Sequence, residues 1–268
     1  MPVYLPVFAF LLSGAQAAAE PLQPIGKWNL DAGENACVLA HRFGTPDQTW
    51  SVGFKSHVGA PQMDVVLIGP RGWDIGQDGV ATVTLRPSGA TFSGGGYTAS
   101  LQGGMPMRRI SVDHALLDAM PTTTELAIGT KRNTTISFAI PTSAGAFAAL
   151  KSCDEQLLQS WGVDPARFRR MVPPGQPGFV DLSKYLMADD YPEHAEPASG
   201  KTMALLSLDA DGKVKTCRVI ESSGTPELDA RTCQIAVSRL RYPPIRNAAG
   251  QNVESWTVLA LNWVAARY

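Results

Sequence analysis

Short runs of Val, Ile, Thr and Phe, each closed off by Gly or Pro, leave the first half of this chain few folds to choose from. "MDVVLIG" (63–69), "VATVTL" (80–85), "ELAIG" (125–129) and "TTISFAI" (134–140) are all of this kind. Branched and aromatic side chains pack well on a pleated surface, and runs this short suit strands better than helices. Between them, "PRGWDIGQDG" (70–79) and "SGGGYTASLQGG" (93–104) read as turns, because glycine supplies the backbone conformations that tight turns require. With 25 Gly and 20 Pro in 268 residues, the expectation for 28–141 is an antiparallel sheet folded as a sandwich or a partly open barrel.

The period then changes. In "SAGAFAALKSCDEQLLQSWG" (143–162), Phe147, Leu150, Cys153 (or Asp154), Leu157, Leu158 and Trp161 recur at helical spacing, with Ser143 a candidate N-cap and Gly162 a candidate C-cap. "VPPGQPG" (172–178) is the densest Pro and Gly cluster of the chain and marks a domain boundary, short enough to be a hinge between neighbours. Beyond it, "KTMALLSLDADGKVKTCRVIESSG" reads as two strands joined at Asp211-Gly212. "PELDARTCQIAVSRLR" is a helix with Pro226 in its first turn and Thr225 as cap; Cys233, Ala236, Val237 and Leu240 share a face. "VESWTVLALNWV" is a last strand. The expected fold is α+β: a mostly-β N-terminal domain with a packed helix, then a small β-β-α-β domain. The expected segments are 1–19 as signal peptide, 20–165 as first domain, 166–190 as linker and 191–268 as second domain.

A net charge of −1 with scattered Lys and Arg gives no surface for nucleic acid or for an anionic membrane. "MPVYLPVFAFLLSGAQAAAEP" reads as an export signal: an apolar run at 3–12 is followed by the small-x-small sites Ala15-Gln16-Ala17 and Ala17-Ala18-Ala19. The run is shorter than the ~20 residues of a bilayer span. No Lys or Arg precedes Lys27, so the positive flank usual in such signals is missing. Cleavage and release into the periplasm is the first reading, and an uncleaved inner-membrane anchor the alternative. In an oxidising compartment the four cysteines favour disulfides. Three pairings are open, and the economical one joins Cys217 to Cys233 and Cys37 to Cys153, with the helical Cys153 lying on the sheet near Cys37.

The segment 191–264 carries Tyr191-Pro192, Gly200, Asp211-Gly212, Ser222-Ser223-Gly224, Leu228-Asp229, Tyr242-Pro243-Pro244 and Gly250 in this order. In that series it resembles the C-terminal domain of the TonB family. The resemblance implies a module that binds proteins. Family members transmit energy from an inner-membrane motor to outer-membrane receptors and capture a receptor segment as an added strand on their last strand. Here that edge would be Trp256, Thr257, Val258, Leu259, Ala260, Leu261, Asn262, Trp263 and Val264. The alternatives are a strand that only closes its sheet and one that pairs with a second copy in a homodimer. Family transducers also carry a transmembrane helix and a long Pro-rich spacer. This chain has instead a signal-like start, a β domain and a short hinge, which fits a periplasmic binding protein with a part in TonB-dependent transport better than a motor-driven one. The expected partner is an envelope protein, such as an outer-membrane receptor segment.

No catalytic or metal motif competes. Ser222 and Ser223 lack the G-x-S-x-G frame of a nucleophile elbow and read as a turn. His41, His57, His114 and His194 have no ligand spacing, and "DADGK" lacks the length and the Glu of a calcium loop. "SGGGYTAS" lacks the Lys of a phosphate loop, while Arg108-Arg109 and "RFRR" (167–170) read as solvated charge. No cofactor is implied. The rival reading is a periplasmic enzyme or ligand-binding protein with its site in the first domain, using Asp64, His114 or Asp113.

Overall fold

In the computed structural model the described residues are 20–58, 62–74, 79–129, 135–165, 182–193, 200–247 and 249–264. The signal-like segment 1–19, the "VPPGQPG" hinge, "RFRR" and His194 lie outside them.

Nine strands build the first domain: β1 (Pro24–Ala32), β2 (Cys37–Gly44), β3 (Thr49–Ser56), β4 (Gln62–Ile68), β5 (Gly79–Arg86), β6 (Thr91–Leu101), β7 (Met105–Asp113), β8 (Glu125–Gly129) and β9 (Thr135–Ala139). They form one sheet in the order β1-β2-β3-β4-β7-β6-β5-β8-β9, antiparallel throughout. Its two ends meet. The Leu22 amide donates to the Ser137 carbonyl at 2.8 Å and the Ala139 amide to Leu22 at 2.9 Å, so the chain just before β1 bridges β9. Of the two expected architectures, the curled single sheet is the one adopted.

Side chains alternate across it as a strand demands. On β2, Cys37, Leu39, His41 and Phe43 point into the core, and Trp50, Val52, Phe54 and Ser56 do so on β3. The expected turn at "SGGGYTAS" is instead the middle of β6. Glycine is needed there for space. A Cβ on Gly94 would stand 1.7 Å from the Ser111 carbonyl oxygen, and one on Gly96 2.7 Å from that of Arg109. β6 and β7 cross too closely for side chains at those positions, so the glycines permit a tight strand contact rather than a reversal.

A short helix, α1 (Leu116–Ala119), precedes β8, and α2 (Ala144–Ser160) follows β9. Phe147 of α2 meets Phe54 edge-on at 5.0 Å and Trp28 at 5.5 Å. Six residues later Cys153 is bonded to Cys37, with Cα atoms 6.2 Å apart. Gly162 ends the helix with φ +76°, as expected. Ser143 does not cap by its side chain: its hydroxyl donates to the Met120 carbonyl, tying the helix start to the turn after α1.

The second domain contains β10 (Gly200–Leu208), β11 (Val214–Glu221), α3 (Pro226–Arg239), a two-stranded ribbon of β12 (Ile245–Arg246) and β13 (Asn252–Val253), and β14 (Ser255–Trp263). Its sheet runs β11-β10-β14. One face, with Ala204, Leu206, Leu208 and Leu259, packs under Ala236 and Leu240. Ala236 and Leu240 are buried and Cys233 packs beside them, as expected, but Val237 is exposed, and the buried face extends instead through Leu228, Thr232 and Ile235. The buried Thr232 hydroxyl accepts the indole N–H of Trp263 at 2.9 Å. Cys217 and Cys233 are bonded, with Cα atoms 5.4 Å apart, stapling β11 to α3.

Packing of this domain reaches back into the stretch expected to be linker, since Leu182, Tyr185 and Leu186 lie against its apolar clusters. Asp190 holds that segment down. Its carboxylate, 2% exposed, accepts from Arg231 and Arg239 at 2.7 Å each and from the Met187 amide.

The other face of the sheet is also covered. Leu205 is 2% exposed and belongs to the core cluster of the first domain, with Ile220, Trp256 and Val258 packed against that cluster. The Arg218 guanidinium donates to the Trp161 carbonyl at the end of α2.

Replacing Cys217 and Cys233 by Ala should lower the urea-unfolding free energy by about 3 kcal/mol, the entropy of closing so short a loop. Asp190→Ala should cost on the order of 3 kcal/mol in the same assay, because it leaves two arginines without their carboxylate.

Candidate functional site

β14 runs for nine residues without a charged side chain, and its sequence alternates cleanly. Thr257, Leu259, Leu261 and Trp263 are buried on the α3 side; Trp256 and Val258 are half-buried against the first domain, and Ala260 and Asn262 are exposed. Val264, just past the strand, is 77% exposed. β14 pairs with β10 in unbroken register from Ser255 opposite Leu208 to Trp263 opposite Gly200. On its other side no strand pairs with it among the described residues. The backbone N–H and C=O groups that point away from β10 therefore form a row without a ladder partner there.

β11, the opposite edge of the same sheet, is built differently. It carries Lys215, Arg218 and Glu221, and its ladder with β10 shifts register twice. Charges and irregular register are the usual means of keeping an edge from accepting a foreign strand. β14 has neither feature. Its far end is braced by Tyr191, whose ring meets Trp263 at 6.0 Å, a contact that links the Tyr-Pro opening to the last strand.

The Ser-Ser-Gly stretch is a turn organised by one carboxylate. Asp229 in the first turn of α3 accepts from the Ser222 hydroxyl, from the Ser223 amide at 2.9 Å and from the Thr202 hydroxyl at 2.8 Å. Burial pushes the Asp229 carboxyl up, but these hydrogen bonds together outweigh it and leave the group below the usual carboxylate range. Gly224 turns the chain with φ +87°. Both serines are thus engaged in holding β10, β11 and α3 together.

Asp64, His114 and Asp113 are not brought together. Asp64, 1% exposed, accepts from His57 and from Arg109 at 2.6 Å each through one oxygen. Burial raises its carboxyl; the bonds and charges of His57 and Arg109 more than offset this, and it lies below the ordinary range. Lys201, the second residue of β10, is near enough to feel Asp64, Arg109, Lys55 and Glu221, and burial lowers its ammonium. This polar group sits where the two domains meet. Asp113 accepts the Ala115 amide at 2.8 Å. His114 instead meets Ser56, whose hydroxyl is 3.2 Å from Nε2. Ser56 is fully buried and also hydrogen-bonds Asp154. The carboxylate and the imidazole meet the hydroxyl separately, not each other as in a nucleophilic triad, and the hydroxyl has no route to solvent.

The first domain does have open clefts. Trp73 stands 39% exposed, edge-on to the buried Trp50 at 4.5 Å. On one side a cleft of about 570 Å³ is lined by Asp74, Thr98 and Ser100, among others; on the other side a smaller one includes Gln48 and Arg71. Asp64, His114 and Asp113 line neither. Among the described residues no group of three or more His, Cys, Asp or Glu is placed to hold a metal ion, and no helix is long and apolar enough to cross a membrane.

The sequence placed the strand β14 and the turn, and held Tyr191 and Asp229 only as members of the series that resembles the family, without the contacts they make; Thr232 it did not single out.

Comparison with known proteins agrees with this geometry. Residues 188–264 match the family model described as Gram-negative bacterial TonB protein C-terminal. No curated protein and no solved structure matches the chain. The second domain, with its β-β-α-β order, its Asp-Gly hairpin and its carboxylate-held Ser-Ser-Gly turn, is thus similar to the TonB C-terminal domain over the residues matched.

Proposed function

We propose that this protein is an exported, periplasmic binding protein that takes up an extended segment of another envelope protein as an added strand along β14, from Trp256 to Val264. The observation that carries the reading is the contrast between the two edges of one sheet: β14 is uncharged and lacks a second ladder partner among the described residues, whereas β11 bears Lys215, Arg218 and Glu221. Strand addition draws affinity from backbone hydrogen bonds and selectivity from alternate side chains. On β14 the alternate positions differ in kind. The α3 side is apolar and closed, and the other side passes from Trp256 and Val258, seated on the first domain, to the exposed Ala260 and Asn262. The match to the TonB C-terminal family points to a partner in envelope transport, such as an outer-membrane receptor segment.

A photo-crosslinking residue placed at Ala260 in intact cells should give an adduct with a different envelope protein, and one at Thr216 on β11 should give none. Adducts of dimer mass alone would replace the reading by self-pairing through β14. The double substitution Ala260→Lys, Asn262→Lys should abolish the adduct formed from a probe at Val258 while leaving thermal unfolding unchanged, since both side chains are exposed.

Mature protein should appear in the osmotic-shock fluid with the segment 1–19 removed. Retention with the inner membrane would reinstate the anchored alternative.

A further inference from the structure

β3 ends at Ser56, which points into the first domain and is fully buried. Two groups from different elements converge on its hydroxyl. His114, in the turn between β7 and α1, places Nε2 3.2 Å from Oγ. Asp154 of α2 hydrogen-bonds the same hydroxyl, and its Oδ1 is buried with no hydrogen-bond partner. Cys153, the preceding residue, is covalently fixed to Cys37 on β2, so α2 cannot withdraw the carboxyl from the barrel wall at this point.

A hydroxyl has one proton to give. If Asp154 is ionised, Ser56 must donate to it and His114 must donate to Ser56 through a protonated Nε2. One carboxylate oxygen then stays buried and bare, which is costly in a low-dielectric interior. If Asp154 takes up a proton from solvent, the negative charge is gone. The acid can donate to Ser56, and Ser56 can donate to His114 through an unprotonated Nε2. His114 is neutral in both arrangements, with its ring proton on Nε2 in the first and on Nδ1 in the second. The net change is the single proton gained by Asp154.

We propose that Asp154, Ser56 and His114 form a proton-operated clasp in which uptake of one proton by Asp154 reverses the direction of the hydrogen-bond chain and tightens α2 onto the barrel. The surroundings favour that uptake near neutrality. Burial is the largest influence on Asp154 and, with the neighbouring Glu155, outweighs the Ser56 hydrogen bond, bringing the carboxyl to about 7. Burial likewise holds the His114 imidazole below its ordinary value of 6.5; Asp118 and Asp113 oppose this, while Lys151 and His57 add to it. Lys151 is itself paired with Asp118 at 2.6 Å.

The signs differ for the two groups. A carboxyl raised above its unfolded value of 3.8 stabilises the fold on the acid side and loses that contribution as pH rises toward about 7. A depressed imidazole contributes above its unfolded value and loses its contribution on acidification. Trp161, directly after α2, is the seat of Arg218 from the second domain, so the clasp fixes the helix that leads to that contact.

The test uses the full chain with both disulfides intact. Carbon-13 NMR of the Asp154 carboxyl should titrate with a midpoint close to neutrality. The ratio of the unfolding constants of wild type and Asp154→Asn should change on the order of a hundredfold between about pH 5 and about pH 8, tenfold per unit while the folded state alone holds the proton. Wild type should lose ground to the variant as pH rises. Ser56→Ala should move the carboxyl midpoint further up, because it removes the remaining donor. A carboxyl that titrates near about 4 like an exposed aspartate, or a stability ratio that is flat across the range, overturns the proposal. If Asp154→Asn does not fold, the wild-type NMR titration decides alone.

Discussion

Burial of both faces of β10 is the constraint on which the architecture of this chain rests. A three-stranded sheet with one helix covers only one of its faces, and the other must find cover or remain an exposed apolar surface. Here Leu206 and Leu208 lie under α3, while Leu205, next to Leu206 in sequence, is part of the first domain's core cluster. One strand therefore belongs to two cores. Because β10 is the central strand, its placement also sets that of β14, through a ladder nine residues long and without a register shift.

The carboxylates divide the labour in a consistent way. Asp190 gathers two arginines of α3 and fixes the chain leading into the second domain; Asp229 gathers the turn from β11 into α3. Asp64 does the same for His57 and Arg109 beside Lys201 at the domain junction. Asp190 and Asp229 are met by several donors, and Asp64, whose Oδ1 has no hydrogen-bond partner, has His57 and the Arg109 guanidinium against its other oxygen, so the charge is retained in all three. Asp154 is the exception. Its main donor is a single hydroxyl and one of its oxygens has none, which is why its protonation, and not its charge, suits the interior.

Much of the fold was legible in the sequence because it rests on local rules. The runs "ELAIG" and "VATVTL" became β8 and the heart of β5, Pro226 opened its helix, and the four cysteines paired as economy of loops suggested. The failures were of long range. Three consecutive glycines read as a turn because a turn is what glycine permits locally; that β7 passes too close for a Cβ is known only once both strands are placed. That the buried face of α3 includes the polar Thr232 and not Val237 goes with the bond from Trp263 to Thr232, thirty-one residues apart. The convergence of Ser56, His114 and Asp154 joins three elements across nearly a hundred residues, and no spacing rule reaches so far. The open edge of β14 lay between these extremes. Its lack of charge could be read directly, but its vacancy depended on which strands took the places beside β10.

That no strand among the described residues lies beyond β14 gains meaning from what surrounds it. An unprotected edge on a free-swinging module would invite pairing from any extended chain. On this protein the sheet carrying the edge is seated on a closed barrel, with Trp256 and Val258 turned toward it and only the Ala260–Asn262 end clear of it on that face. On the proposed reading, a strand arriving along β14 would meet a closed side over α3 and a side that changes from covered to open within four residues. Backbone bonding alone would be indifferent to sequence. The first domain would then supply a second, fixed boundary against which a wrong side chain is rejected, and selectivity of that kind follows from steric exclusion more than from added contacts.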